Sequence, residues 1–253
     1  MKKEELAFLK KYNTFIKWDK LLKEGKLSNE EMLEIVPLHV LLTIPEIRNK
    51  FVKEWDLFKK LIKEEKEIIS GDGYLYQIIF NTYELSDEKI NDIDGLLRDS
   101  LVKYIKGLKL EKEEEEEKIK KQLNHYYTEL IYTQKLSIKW LEENIEAIKE
   151  FNVWNFLIDK TYTGEEFFTK YQDYLSVIDW NRVFISMGSK KYSCDFLINN
   201  YKKTGYQIDW FINFLESKAI KYNNFEIAEI NNIDKEEMKK ELEKFCNYLK
   251  LIK

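Results

Sequence analysis

Three tryptophans set the tightest limit on what this chain can fold into. Aligned on Trp154, Trp180 and Trp210, the position thirteen residues earlier is Leu141, Phe167 and Leu197, and the position nine earlier is Ile145, Tyr171 and Tyr201. Two residues before each tryptophan stand Asn152, Ile178 and Ile208, and just before it Val153, Asp179 and Asp209. The second and third copies share Ile-Asp-Trp, and the first, Asn-Val-Trp, has drifted. A period of this length holds two short helices and a bend. One such hairpin cannot bury its apolar face alone, so neighbours must stack and share a core. The aspartate before the tryptophan predicts a helix start, because its oxygen accepts orphan backbone N–H groups and its charge favours the positive helix end. The indoles are expected between neighbouring hairpins as core.

The rest of the chain also reads as helix. There are two prolines and eight glycines, too few for the turns of an all-β protein. Residues 3–24 carry one apolar face (Leu6, Leu9, Tyr12, Phe15, Ile16, Leu22) and stop at Gly25, which accepts a left-handed conformation. Ser28 with Glu31 predicts a capping box. Pro37 shortens the helix that follows, and Pro45 fits a first turn, where no donor is lost. Ile47, Phe51, Trp55, Phe58, Leu61, Ile62 and Ile69 trace one long helix, broken at Gly71-Asp72-Gly73. Residues 74–84 are rich in tyrosine and isoleucine and suit a strand, but Tyr76, Ile79, Phe80 and Tyr83 also share a helical face, and helix is the reading taken. Ser86 opens a helix running to Gly107, and Asp234 opens the last one, with Met238, Leu242, Phe245 and Leu249 inward. The expectation is an all-α protein of about ten to twelve helices. Residues 1–107 form an N-terminal helical part, 108–135 a charged linking helix, 136–225 the tryptophan repeats and 226–253 a C-terminal helix.

Composition narrows the chemistry. The net charge of −4 argues against a global basic field for duplex nucleic acid, though not against a local patch. Cys194 and Cys246 are far apart and unpatterned, which points to a reducing cytosol. The opening MKKEELAFLKKYNTF lacks a long apolar core, so it reads as helix and not as a secretion signal. No run of about 18 apolar residues occurs, so no spanning helix and no membrane role are expected.

His39 and His125 have no histidine or cysteine within helical reach, and neither cysteine has a CxxC partner, so neither metal nor cofactor is expected. Asn91-Asp92-Ile93-Asp94-Gly95 resembles part of a calcium loop but lacks its first ligand and its terminal glutamate. Phosphate-loop, dinucleotide-loop and nucleophile-elbow motifs are missing from the sequence. Cys194, in Ser-Cys-Asp, reads as small packing, with His125 as its one conceivable base. No catalytic residue is assigned. Two binding regions remain. Arg182, Lys190, Lys191, Tyr192, Tyr201, Lys202 and Lys203 set lysines beside aromatics, as in grooves that hold phosphates and stack bases. Glu113, Glu114, Glu115, Glu116 and Glu117 form an acidic run that reads as a solvated helix end or as a surface for a basic partner.

The pattern Tyr192-Ser193-Cys194-Asp195-Phe196-Leu197, then Tyr201, then Ile208-Asp209-Trp210, resembles a degenerate helical repeat of tailed-phage and large-DNA-virus proteins. Phe167-Phe168, Tyr171 and Ile178-Asp179-Trp180 repeat it. The resemblance covers about a third of the chain and implies a phage or prophage origin and an α-helical binding role. The leading expectation is therefore a non-enzymatic protein-binding protein. Its most concrete form is an inhibitor of a host defence complex, such as a CRISPR effector nuclease, with a protein or nucleoprotein partner. Direct binding of RNA or single-stranded nucleic acid through 182–203 is the second reading. A hydrolase or nuclease with carboxylates in a helical cleft is the third.

Overall fold

Helices start and stop where side chains can satisfy the backbone groups left over at their ends. In this computed structural model the described residues are 18, 25, 27–64, 69–70, 73–158, 163–188, 192–216 and 235–253. The expected helix at 3–24, apart from buried Trp18, and the Asp234 cap lie outside them. Gly25 has φ +62°, the left-handed conformation that glycine accepts. The protein is all-α, with fifteen α-helices among the described residues. One two-residue antiparallel ladder pairs Ile69–Ser70 with Gly73–Tyr74. The chain divides into two units between Lys135 and Leu136.

The first unit begins with α1 (Asn29–Ile35), whose capping box is present: Glu31 N–H donates to Ser28 Oγ at 3.2 Å, and Ser28 N–H donates to Glu31 Oε2 at 2.8 Å. After α2 (Leu38–Leu41), Pro45 stands in the first turn of α3 (Pro45–Lys53). The long helix expected over 47–69 is two helices. Glu54, at φ −109° and ψ 64°, leaves helical geometry, and α4 (Trp55–Glu64) restarts beyond it. The break lets Phe58 turn back and stack on Phe51, with centroids 5.0 Å apart. Residues 75–82 are helix α5 (Leu75–Thr82), and Leu75, Tyr76, Ile79 and Phe80 face inward. Ser86 caps α6 (Asp87–Gly107) by accepting the Lys89 N–H.

Helix α7 (Lys112–Thr133) has two halves of opposite character. Its first turns are charged and exposed, and its last turns bury Tyr126, Tyr127, Leu130 and Ile131 against α5 and α6. The end of α7 is fixed by Gln134, 2% exposed. Its Oε1 accepts the Leu85 N–H at 2.9 Å, and its Nε2 donates to Phe80 O at 2.6 Å and to Tyr83 O at 3.1 Å. One side-chain amide thereby satisfies the buried backbone between α5 and α6, which no ladder serves. The calcium-like segment lies inside α6. There Asp92 accepts the Trp55 indole N–H at 2.9 Å, and Asp94 holds Arg98 and the Tyr126 hydroxyl.

The second unit carries the repeats. The first comprises α8 (Ile138–Glu143), α9 (Ile145–Glu150) and α10 (Trp154–Ile158). The second comprises α11 (Glu165–Lys170), a 3-10 turn over Gln172–Tyr174 and α12 (Val177–Ile185). The third comprises α13 (Cys194–Asn200), a 3-10 turn over Tyr201–Thr204 and α14 (Ile208–Glu216). Leu141, Phe167 and Leu197 are all buried. The repeat extends further back than the sequence pattern suggested. Seventeen residues before each tryptophan stand Ser137, Thr163 and Ser193; the two serines cap α8 and α13, and Thr163 donates to Leu157 O at 2.6 Å.

The aspartates do not cap these helices as expected. Ser176 is the cap of α12, and Asp179 sits three residues in, accepting the Ser176 N–H at 2.9 Å as the other half of a capping box. Asp209 is exposed and pairs with Lys253. The drifted first copy has a backbone reason: Asn152 takes φ +48°, and Val153 N–H donates back to Ile148 O. Asparagine tolerates that left-handed stop and isoleucine does not. The last helix, α15 (Lys235–Ile252), packs on α13 and α14 and closes the array, with Phe245 against Phe184, Tyr201 and Phe211.

Candidate functional site

The basic–aromatic region of 182–203 is not a stacking groove, because its tyrosines are core. Tyr192 is 2% exposed, its ring stacked 5.1 Å from Phe196 and its hydroxyl 3.2 Å from Ser186 Oγ. Burial pushes its phenol well above the usual tyrosine range. Tyr201 is also buried, between Phe211 and Phe245. Neither ring offers a face to a base, which corrects the sequence expectation for both. Tyr201 continues the helical period of α13 into its 3-10 extension, and Tyr192 stands just before the Ser193 cap, where its ring packs back on Phe196 of α13.

The cations of the region fare differently. Lys190 and Lys191 lie outside the described residues. Lys203 is held in place, its Nζ 4.6 Å above the Trp180 ring and donating to Gln172 Oε1. Lys202 is exposed, 5.9 Å from the Tyr201 ring. Arg182 is exposed on α12, and among the described residues no carboxylate pairs with it.

Around Arg182 lies a feature that the sequence reading passed over. Val177 is 57% exposed, Ile178 69% and Ile185 48%, all on α12. At about 100° per residue, Val177, Asn181, Ile185, Ile178 and Arg182 fall within an arc of about 140°. The opposite arc holds Asp179, Trp180, Val183 and Phe184, all buried. The α12 helix is thus apolar on both faces, and only one face is used by the fold. Apolar residues all round a short surface helix are the signal that could have found it, since a helix of one buried face carries polar residues on the other. The outer face is firmly held: the Ser176–Asp179 box fixes its first turn, and Val177 lies 4.0 Å from where a Cβ on Gly205 would stand. Asn181 Oδ1, within the same arc, is buried without a hydrogen-bond partner.

Two open grooves adjoin elsewhere in this unit. One, of about 560 Å³, is lined by Glu166, Thr169, Lys170, Asn199, Asn200 and Lys203. The other, of about 550 Å³, gathers Glu165, Glu166, Glu237 and Glu241. Several of their charges are already engaged by the fold: Glu165 accepts the Ser193 N–H and hydroxyl, Glu241 accepts the Cys194 N–H, and Lys170 pairs with Glu142, while Glu166 is exposed.

The remaining chemical candidates have structural partners. His125 Nδ1 is 2.9 Å from the Tyr76 hydroxyl. Burial, then the charges of Glu241 and Asp195, push the Cys194 thiol up, the opposite of what activates a nucleophile. In the first unit Glu113, Glu114, Glu116 and Glu117 are exposed and Glu115 is half-buried. They occupy the start of α7, where negative charge complements the helix dipole. Among the described residues no cluster of three or more His, Cys, Asp or Glu is arranged to hold a metal, and no helix is long and apolar enough to cross a membrane. Comparison with protein-family models, curated proteins and solved structures finds no match to this chain.

Proposed function

We propose that the protein is a non-enzymatic helical binding protein whose partner docks on the outer face of α12. The observation that carries this reading is the exposure of Val177, Ile178 and Ile185 together on one rigid, capped helix. Scattered single apolar residues are ordinary on a surface, but adjacent branched aliphatics on one helix face mark an interaction site. The stacked repeat serves as a scaffold that holds this face.

The narrower reading is a phage- or prophage-derived inhibitor of a host defence complex, such as a CRISPR effector nuclease. It is supported by the resemblance of the Ile-Asp-Trp units to phage helical repeats. Its physical route is occlusion, in which helix faces cover a nucleic-acid channel or active site. The acidic start of α7 suits a basic channel.

The test is affinity capture from the native host with the parent chain and with an Ile178→Asp/Ile185→Asp double variant. Both positions are exposed, so the variant retains its helical circular dichroism. A saturable partner recovered by the parent and lost with the variant is the expected result. Equal recovery by both, or no saturable partner, overturns the reading. Stoichiometric suppression of target cleavage by a purified effector nuclease tests the narrower assignment, and unaffected cleavage removes it. A gel shift with RNA in a salt series addresses the competing nucleic-acid reading, which predicts retardation at low salt.

A further inference from the structure

We infer that the occupant of the α12 face is a single amphipathic helix with acidic flanks; this rests on the reading above and names the chemistry of the partner. Three observations fix the choice. The first is size. Three aliphatic side chains and one arginine stem present only a few hundred Å² of contact surface. A standard interface needs about 800 Å² from each partner, so the face is too small to hold a rigid second copy of this chain by itself.

The second is shape. Val177, Ile178 and Ile185 run the length of a nine-residue helix, about 13 Å at the α-helical rise. That length is matched by two to three turns of a partner helix laying residues i, i+3 or i+4, and i+7 along it. The third is charge. Arg182 borders the face, exposed and without an ion pair among the described residues. Lys202 is exposed on the 3-10 turn that packs against α12. The one carboxylate on α12, Asp179, is buried in its capping box. The face therefore offers apolar contacts around Asn181 with the positive charge of Arg182 on it, and the complementary ligand carries apolar anchors flanked by carboxylates.

The experiment is selection of displayed random 16-residue peptides on the full chain, with counter-selection on the Ile178→Asp/Ile185→Asp double variant. The expected winners are net negative, carry apolar residues at helical spacing and gain helical circular dichroism on binding. Arg182→Glu weakens them at least tenfold while the fold is unchanged. Neutral or basic winners, extended winners, or the lack of any peptide that discriminates the double variant overturns the inference. So does binding to phosphatidylserine–phosphatidylcholine vesicles that is lost in the double variant, which would assign the face to membranes. Self-association lost in the same variant would assign it to a second copy. A host partner recovered through α12 that presents a basic or non-helical segment defeats this inference and leaves the proposed function standing. Partner recovery that ignores the double variant defeats the proposed function itself.

Discussion

The Trp180 indole lies 6.2 Å, centroid to centroid, from the Phe196 ring of the following unit. One unit earlier, Trp154 lies 6.1 Å from Phe167 and 6.5 Å from Tyr171. Each of these tryptophans is spent on the helix that opens the next copy. The repeat is therefore a stacking rule written in the sequence, in which the last helix of one hairpin carries the ring that the next hairpin buries. Trp210 is followed by no fourth copy among the described residues. It is half-buried and stacked between Tyr206, 4.0 Å away, and Phe214, 4.9 Å away.

This asymmetry predicts an order of cost. Trp154 and Trp180 are 1% and 2% exposed, so alanine at either leaves a cavity and loses about 3–5 kcal/mol. Trp210→Ala loses less, about 1–3 kcal/mol, because part of its surface already meets water. Urea unfolding of the three single variants measures this. A larger loss at Trp210 than at Trp180 would refute the stacking rule.

Gln134 is predicted to be the most consequential polar side chain of the first unit. Gln134→Leu keeps volume but strips partners from the Leu85 N–H and the Phe80 and Tyr83 carbonyls. Each buried backbone group left unpaired costs about 1–3 kcal/mol. A loss of at least about 3 kcal/mol is expected in the unfolding transition. A stability within error of the parent would show that these backbone groups find other partners.

The helical period made most of the fold readable, because core packing and periodicity are the same fact seen twice. Ile90, Ile93, Leu97, Leu101 and Ile105 face inward as their spacing demands. What periodicity could not show is a break with no proline or glycine. Glu54 interrupts an unbroken apolar stripe through backbone geometry alone, and only the Phe51–Phe58 stack explains why. The functional face was less legible. Ile178 belongs to the repeated Ile-Asp-Trp string and so reads as structural, although it is 69% exposed. Tyr192 and Tyr201 misled in the other direction, since neighbouring lysines suggested a surface although both rings are buried.

Alkaline pH should unfold the protein through its buried phenols. Burial raises Tyr76, Tyr126 and Tyr192, and Tyr83 is pushed up to about 12. For Tyr126 the Asp94 carboxylate adds to burial. A phenol whose pKa is higher folded than unfolded contributes stability below the unfolded value of about 10, and that stability is lost as pH rises above it. Of the sixteen tyrosines, one set is exposed, with Tyr132 at 66% among them. A second set should appear only with the loss of far-ultraviolet circular dichroism. Ultraviolet difference absorbance separates the two, and a single transition for all tyrosines in a still-helical protein would contradict the buried placement. Tyr126→Phe should shift the alkaline midpoint upward, since Asp94 keeps Arg98 at 2.6 Å.

Cys194 should be a slow thiol, and the cause can be isolated. Its backbone N–H donates to Glu241 Oε2 at 2.8 Å, which brings that carboxylate beside the sulfur. Glu241 is itself held below the usual carboxylate range, first by Lys244 and then by the Cys194 N–H. It therefore stays charged through neutral pH, and its contribution to stability, present above the ordinary carboxylate value, fades only as pH falls through the lowered one. Burial, then Glu241 and Asp195, disfavour the thiolate, while Lys244 opposes them. Glu241→Gln retains an oxygen for the Cys194 N–H and removes the charge. Iodoacetamide labelling at mildly alkaline pH, followed at each cysteine by mass spectrometry, should then be about two- to fivefold faster at Cys194, because the thiolate is the reacting species. Lys244→Met should slow it. Unchanged labelling in Glu241→Gln would mean that burial alone governs the thiol, and faster labelling in Lys244→Met would reverse the electrostatic account.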